Sequence, residues 1–439
     1  MTAATSPTRS ASAPEQARAA GVNPLDYLRA RGYVQDVSDE AGLRVALAAG
    51  PITAYIGFDP SANSLHIGNL VGIMMLGTLQ RFGHRPIALG GGGTALVGDP
   101  SGKTSARKLI APEEIEANLA GVLPQFARYL DFAGGRFGGN PAALLLNNAE
   151  WLLPLHYITF LRDIGRHFSV NEMLAAETYR QRLDTTGLNF VEFNYRVVQA
   201  YDYLYLHRTE GCLLQMGGSD QWGNIVAGVD LIRRVEGRKA FAVVSPLIQA
   251  SGGLKMGKTE GNAVWLDPAR TTPYDYYQYW VNTDDADVDR YLRLFTFVPE
   301  AQITRLTAES GAALREAKRV LAFEATALTH GDEAAATAAA TAQSLFGGGG
   351  DDQVDAAANV PTTLIPRAAI EAGMSVADLF VRAELSGSRG EARRLARQGG
   401  LAIDDQRVTD ADTPFQPTQD QVLLRVGKKR FRRVQIVGA

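Results

Sequence analysis

The sequence predicts an α/β fold: a Rossmann-like parallel-sheet domain, then a helical domain and a small α+β domain. Three observations predict it. Short apolar runs alternate with helical stretches through the first part of the chain. Gly- and Asp-rich turns follow several of those runs, at the strand ends where parallel sheets gather ligands. From Tyr274 to about Leu345 the chain holds no proline except Pro299 and is rich in Ala, Leu, Arg and Glu, which reads as helix. Gly347 to Gly350 with Asp351-Asp352 then reads as a flexible linker before a last compact segment.

The elements follow in order. From Ile52 to Phe58 apolar residues alternate, which predicts a strand with Tyr55 and Gly57 on one side. Asp59-Pro60-Ser61-Ala62-Asn63 is a turn, and Leu65 to Phe82 has helical spacing, with Leu70, Met74, Leu76 and Leu79 among its apolar positions. Arg85-Pro86 leads into a second strand, Ile87-Ala88-Leu89, stopped by glycines 90 to 93. Further strands are predicted at Leu144–Leu146, Leu213–Met216 and Phe241–Val244. In the last segment, helices over Ser375–Ala383 and Arg389–Gln398 precede short strands. No internal repeat is present.

Composition bounds the function. A chain of 439 residues with 46% apolar and 21% charged residues is a soluble globular protein of two or three domains. Its one cysteine, Cys212, excludes an internal disulfide framework and a Cys-rich zinc site, and fits a reducing cytoplasm. No run of 18 apolar residues exists, so no membrane span is expected. The first twenty residues are rich in Ala, Ser, Thr and Pro, without the apolar core of a secretory signal or the amphipathic pattern of a transit peptide; a disordered tail is expected there. The net charge of −3 is uneven: from Thr362 onward 13 basic residues face 9 acidic ones. A basic tail domain on an acidic body suggests contact with a polyanion.

Two short motifs carry chemistry. His66-Ile67-Gly68-Asn69 opens a helix after a strand. His66 and Asn69 share a face there and both can donate to phosphate oxygens, beside the orphan N–H groups of a helix N-terminus. Gly68 leaves room for a flat base. In Ser251-Gly252-Gly253-Leu254-Lys255-Met256-Gly257-Lys258-Thr259, glycines supply flexibility and two lysines supply charge. Charge delivered to a departing pyrophosphate favours the transition state over the ground state. A third constellation, Tyr195, Gln199 and Asp202, spaced i, i+4 and i+7, puts an aromatic, an amide and a carboxylate on one helix face.

The two motifs resemble the signature pair of class I aminoacyl-tRNA synthetases, written HIGH and KMSKS. Asn69 stands at the last position of the first, and Gly257 and Thr259 at the serine positions of the second. With the blocks from Tyr55 to Gly68, Gly98-Asp99-Pro100-Ser101-Gly102-Lys103 and Gly217-Gly218-Ser219-Asp220-Gln221-Trp222-Gly223-Asn224, the chain from about Asp26 to its end is similar to bacterial-type tyrosyl-tRNA synthetases. The resemblance implies that Tyr55 and Asp202 hold a tyrosine hydroxyl. Asp99, Tyr195 and Gln199 bind its ammonium, and Gln221 lies beside its carboxylate. Gly57, Asp59 and Asp220 line the tyrosine–ribose region. His66 and Asn69 contact ATP phosphate, Gly68 accommodates adenine, and Lys103, Arg107, Lys255, Lys258 and Thr259 surround the pyrophosphate. ATP is then a substrate, accompanied by Mg2+ without assigned protein ligands; no resident metal site is expected. The implied partners are L-tyrosine, tRNA(Tyr) and a second copy of the chain as a homodimer.

In the tail segment, Arg389, Arg393 and Arg394 lie on one predicted helix, and Lys428-Lys429-Arg430-Phe431-Arg432-Arg433 interleaves an aromatic with cations. Arginine forks bind phosphate, and Phe431 is placed to stack or to pack. The unit resembles a small RNA-binding domain found in a ribosomal protein and in bacterial tyrosyl enzymes. The expected division is a tail over 1–25, a Rossmann-like catalytic domain over 26–267, a helical domain over 268–346, a linker over 347–361 and a C-terminal RNA-binding domain over 362–439. Two other readings stay open at this point: another specificity of the same class, above all tryptophan, and an RNA-binding protein without catalysis.

Overall fold

The computed structural model describes residues 11–101, 110–175, 179–180, 183–184, 187–249, 258–259, 262–308, 311–347, 360–427 and 430–438. They form two compact units. The first draws on Met1–Gly257, Trp265–Asp267 and Asp284–Ala317, the second on Lys258–Val264, Pro268–Thr283 and Lys318–Ala439.

The first unit is built on a six-stranded sheet. Its strands are β1 (Asp36–Val37), β2 (Thr53–Phe58), β3 (Arg85–Gly90), β4 (Leu144–Asn147), β5 (Cys212–Gly218) and β6 (Phe241–Ser245), in the order β1-β6-β5-β2-β3-β4. The pairs β2/β3, β3/β4, β2/β5 and β5/β6 are parallel, and β1 adds an antiparallel edge to β6. All five strands expected from apolar runs are present. The edge strand was not legible, because two residues carry no alternation. From β2 the chain lays β3 and β4 to one side and later β5 and β6 to the other. The order therefore reverses between β2 and β5, which leaves a crevice beyond their C-terminal ends.

The helix Leu70–Arg81 has every residue but Gly72 buried, so it is covered on all sides rather than presenting one apolar stripe. Its covers include the helices Ala13–Ala19 and Val288–Phe295. The first of these corrects the expected disordered tail from Ser12 onward; residues 1–10 of that tail lie outside the described residues. Ser12 and Glu15 form a capping box, with Ser12 N–H donating to Glu15 Oε2 at 2.8 Å, and Ala13 N–H reaches the Phe297 carbonyl at 3.3 Å. The helix Pro24–Ala30 follows. A Ser-x-x-Glu signature was present, but the surrounding Ala/Ser/Pro composition concealed it.

The stretch expected as one helical domain over 268–346 is shared between the units. Val288–Phe295 and Glu300–Thr307 belong to the first. There the buried Arg31 guanidinium donates to the carbonyls of Arg293 at 2.7 Å, Val298 at 2.8 Å and Leu292 at 3.1 Å, and to that of Thr296. A buried charge needs such partners, so these carbonyls fix where the helices dock. In the second unit Pro273–Val281 packs against Asp332–Gly347. Composition marks a helix but not the surface it joins.

The second unit also contains the short hairpin β7 (Lys258–Thr259) and β8 (Asn262–Ala263). A five-stranded sheet follows, with β9 (Thr362–Pro366), β10 (Leu401–Ile403), β11 (Gln406–Arg407), β12 (Gln421–Val426) and β13 (Arg430–Val437) in the order β11-β10-β12-β13-β9. The helices Val376–Arg382 and Arg389–Arg397, expected from the sequence, share with it a core that includes Phe380, Leu379, Leu424 and Val434. Of the linker expected over 347–361, residues 348–359 lie outside the described residues.

Candidate active site

A cavity of about 540 Å³ opens in the crevice at the ends of β2 and β5. Tyr55 and Gly57 reach it from β2, and Asp59 from the turn just beyond. Gly68 and Asn69 enter from the helix start, and Asp99 from a turn behind Gly98, whose φ of +82° favours glycine. Tyr195, Gln199 and Asp202 line it from the helix Phe190–Glu210, and Asp220 and Gln221 from the turn after β5. Eleven residues predicted from three separated stretches and several turns thus meet around one space. A Cβ added at Gly57 would meet nothing within 4 Å, so any larger residue there would fill the cavity itself.

The helix bearing the middle trio is held at both ends. Asn189 caps it by accepting from Glu192 N–H at 2.8 Å, and Gly211 ends it in the left-handed region with φ 62°. Asp202 lies on its buried side, 2% exposed. Asn148 Nδ2 donates to Asp202 Oδ2 at 2.9 Å, and Trp151 Nε1 to Oδ1 at 2.7 Å. Burial pushes the Asp202 carboxyl up to about 7, while these two donors pull it back down. Asn148 is itself fixed, since its Oδ1 accepts from Gly93 N–H at 2.7 Å and its Nδ2 also donates to Thr94 Oγ1 at 3.0 Å. Trp151 stacks on Tyr205 at 4.4 Å between ring centroids.

Across the cavity, Tyr55 is 1% exposed and meets Tyr203 edge to face at 5.4 Å. Its hydroxyl has no hydrogen-bond partner among the described residues. Burial, then the charge of Asp202, raises this phenol well above its usual range, so it is a neutral donor. Gln199 Oε1 and Gln215 Oε1 are also buried without partners among the described residues. Each unsatisfied buried group costs about 1–3 kcal/mol. Three such atoms line this one cavity.

The opposite end is acidic and ordered. Asp99 Oδ1 accepts from Ser101 N–H at 2.9 Å, and Oδ2 from Gln221 Nε2 at 2.7 Å. Burial, then the nearby Asp99, raises the Asp220 carboxyl above its ordinary range. At the helix start, Asn69 Oδ1 accepts from His66 N–H at 3.0 Å, and His66 Nδ1 accepts from Gly68 N–H at 2.9 Å. Acceptance at Nδ1 puts the proton of a neutral imidazole on Nε2, and acceptance at Oδ1 leaves Asn69 Nδ2 as a donor. Each side chain thus keeps an N–H donor, although His66 itself does not line the cavity. The helix begins one turn tighter than expected, as a 3₁₀ turn over Ile67–Asn69.

Lys103, Arg107 and Lys255 lie outside the described residues, and for Lys258 and Thr259 the backbone alone is described, as β7. In the second unit, Arg389 pairs with Asp378 and Arg393 Nε with Asp412 Oδ1 at 2.7 Å, while Arg394 and Arg430 are exposed. Lys428 and Lys429 lie outside the described residues. Phe431 is buried, so it packs rather than stacks on a base. Sequence reasoning missed Asn148, Trp151 and Gln215. The first two follow directly on β4, at the sheet end where ligands gather, and Gln215 stands opposite Tyr55 in the β2/β5 register. Position after a strand was the available signal; the partners were not.

A family model for tRNA synthetases class I (W and Y) matches residues 47–347, and one for the tyrosine–tRNA ligase SYY-like C-terminal domain matches residues 354–434. A tyrosine–tRNA ligase of Desulfosudis oleivorans is 50% identical, over 94% of this chain and 98% of that protein. The chain belongs to the tyrosine–tRNA ligase family of class I synthetases. A second family member, from Desulfatibacillum aliphaticivorans, is 48% identical over the same shares of the two chains, 94% and 98%. Among solved structures, a C-terminally truncated mitochondrial tyrosyl-tRNA synthetase of Aspergillus nidulans superposes with a TM-score of 0.67 at 30% identity, covering 76% of this chain and 97% of that one. Membership fits the mixed sheet, the cavity at its switch point and the separate C-terminal fold. No described helix is long and apolar enough to cross a membrane.

Proposed function

We propose that this chain is a cytoplasmic tyrosine–tRNA ligase whose cavity binds L-tyrosine with its hydroxyl between Tyr55 and Asp202. The observation that carries the reading is the unpartnered Tyr55 hydroxyl facing a cavity that also exposes a buried, doubly anchored carboxylate. A phenol meets both, donating to Asp202 and accepting from Tyr55; phenylalanine leaves the Tyr55 hydroxyl unpaired and brings no donor to Asp202. Asp99, oriented by Ser101 and Gln221, takes the ammonium with Tyr195 and Gln199. Gln221 lies beside the carboxylate, and Gly57, Asp59 and Asp220 flank the ribose.

The tyrosine carboxylate attacks the α-phosphorus of ATP, the bond to the bridging oxygen breaks, and pyrophosphate leaves. His66 and Asn69 donate to phosphate, Gly68 leaves space for adenine, and Lys103, Arg107, Lys255, Lys258 and Thr259 take up the charge that builds on pyrophosphate. A hydroxyl of the 3′-terminal adenosine of tRNA(Tyr) then attacks the tyrosyl carbonyl and AMP departs. No side chain becomes acylated; positioning and charge carry the rate. Magnesium arrives with the triphosphate. Among the described residues no group of three or more His, Cys, Asp or Glu side chains is arranged for a metal. Arg389, Arg393, Arg394, Lys428, Lys429 and Arg430 contribute a basic surface to tRNA binding, with Arg389 and Arg393 exchanging Asp378 and Asp412 for phosphate.

The working form is a homodimer. Ile158 and Phe190, 74% and 66% exposed, are large apolar side chains on two helices of the first unit, and a second copy would cover them. Phe190→Asp is expected to give monomers by sedimentation, and an unchanged dimer would contradict this face. Pyrophosphate exchange driven by tyrosine tests the activity. Exchange driven by tryptophan, or RNA binding with no adenylate from any amino acid, would overturn it.

A further inference from the structure

Asn224 is buried, 4% exposed, on the first turn of the helix Trp222–Glu236. It does not line the cavity. Its Nδ2 donates to Gln221 Oε1 at 3.3 Å and to Ser101 Oγ at 3.2 Å. Gln221 Nε2 in turn donates to Asp99 Oδ2 at 2.7 Å, and Ser101 N–H to Asp99 Oδ1 at 2.9 Å. One amide thus touches both residues that hold the Asp99 carboxylate.

We infer that Asn224 is a positioning residue for amino-acid recognition: its donor sets which end of the Gln221 amide faces Asp99. A primary amide has a donor end and an acceptor end of almost the same shape, so its orientation follows from its neighbours. With Asn224 Nδ2 on Oε1, the Gln221 N–H₂ turns to Asp99. The reversed amide would set its oxygen against the Asp99 carboxylate and two donors against each other at Asn224. Asp99 therefore keeps both oxygens anchored and presents its charge in one direction, toward a ligand ammonium. The same side chain ties the Asp99-Pro100-Ser101 turn to the helix that follows β5.

The inference rests on tyrosine as substrate, so wild-type exchange with tyrosine is measured first; its absence refutes that reading and leaves Asn224 aside. Asn224→Asp then keeps shape and places an acceptor where the donor was. Two carboxylates now compete for the Gln221 N–H₂ group. The tyrosine KM is expected to rise about tenfold, with the ATP KM within about twofold of wild type. Simple electrostatics predicts the reverse, since an added negative charge attracts an ammonium. In a Gln221→Ala background the same change is expected to alter the tyrosine KM by less than about twofold, because its route is gone. A tyrosine KM for Asn224→Asp within about twofold of wild type overturns the proposal, as does an equal effect in both backgrounds. Should Asn224→Asp fail to fold, Asn224→Ala carries the test: a tyrosine KM at least about threefold higher supports the role, and an unchanged one overturns it.

Discussion

Tyr55→Phe removes one oxygen from a buried wall where no described residue gives it a partner. In the unliganded state that oxygen costs roughly 1–3 kcal/mol of lost solvation, so its removal is expected to leave the melting temperature unchanged or to raise it. With tyrosine bound the sign reverses. The hydroxyl then donates to the substrate phenol, and its loss removes about 1–2 kcal/mol, a roughly five- to thirtyfold fall in kcat/KM. Phenylalanine has no hydroxyl to lose, so its rate stays level and discrimination narrows by the same factor. The assay is pyrophosphate exchange with each amino acid in turn, beside a thermal melt. An unchanged tyrosine kcat/KM would refute the reasoning, and so would a clear fall in melting temperature, which would mean the hydroxyl is already satisfied without ligand.

Further outcomes follow from the same geometry. Asp202 is raised by burial from 3.8 to about 7, so the folded state holds its proton more tightly than the unfolded chain. Its contribution to stability is complete below the ordinary carboxylate range and is lost as pH rises through about 7. The ionised form is the better acceptor for a phenol, so the tyrosine KM is expected to fall as pH rises through that same region, and Asp202→Asn to flatten the profile; a slope that survives in Asp202→Asn would assign it elsewhere. Asn148→Ala leaves Gly93 N–H and one Asp202 oxygen without their partner, and is expected to cost about 2 kcal/mol by denaturation together with a weaker tyrosine KM. A normal tyrosine KM in that variant would show that Trp151 alone orients Asp202. Lys258→Ala is expected to leave tyrosine affinity, measured by equilibrium dialysis, nearly intact while slowing adenylate formation at least about tenfold in rapid kinetics; equal rates would remove that lysine from the pyrophosphate site.

Much of this was legible because it repeats along the chain. The five parallel strands announce themselves as apolar runs, and the trio Tyr195, Gln199 and Asp202 as one helix face. What stayed hidden depends on distance in sequence. Asp202 meets Asn148 and Trp151 from more than fifty positions away, and Arg31 meets the carbonyls of 292–298 from more than two hundred and sixty. Such contacts leave no period and no local composition. The helix Ala13–Ala19 was hidden for the opposite reason: its cap is local, but its buried residues find their cover near Phe297. Gln215 reads as one polar letter inside an apolar strand, and only the β2/β5 register puts it beside Tyr55.

The most direct test is a structure of the protein with tyrosine bound. The account predicts the phenolic oxygen within hydrogen-bond distance of both Tyr55 Oη and an Asp202 carboxylate oxygen, with the ammonium on Asp99. A ring seated elsewhere in the cavity, or a hydroxyl that meets neither side chain, would contradict it.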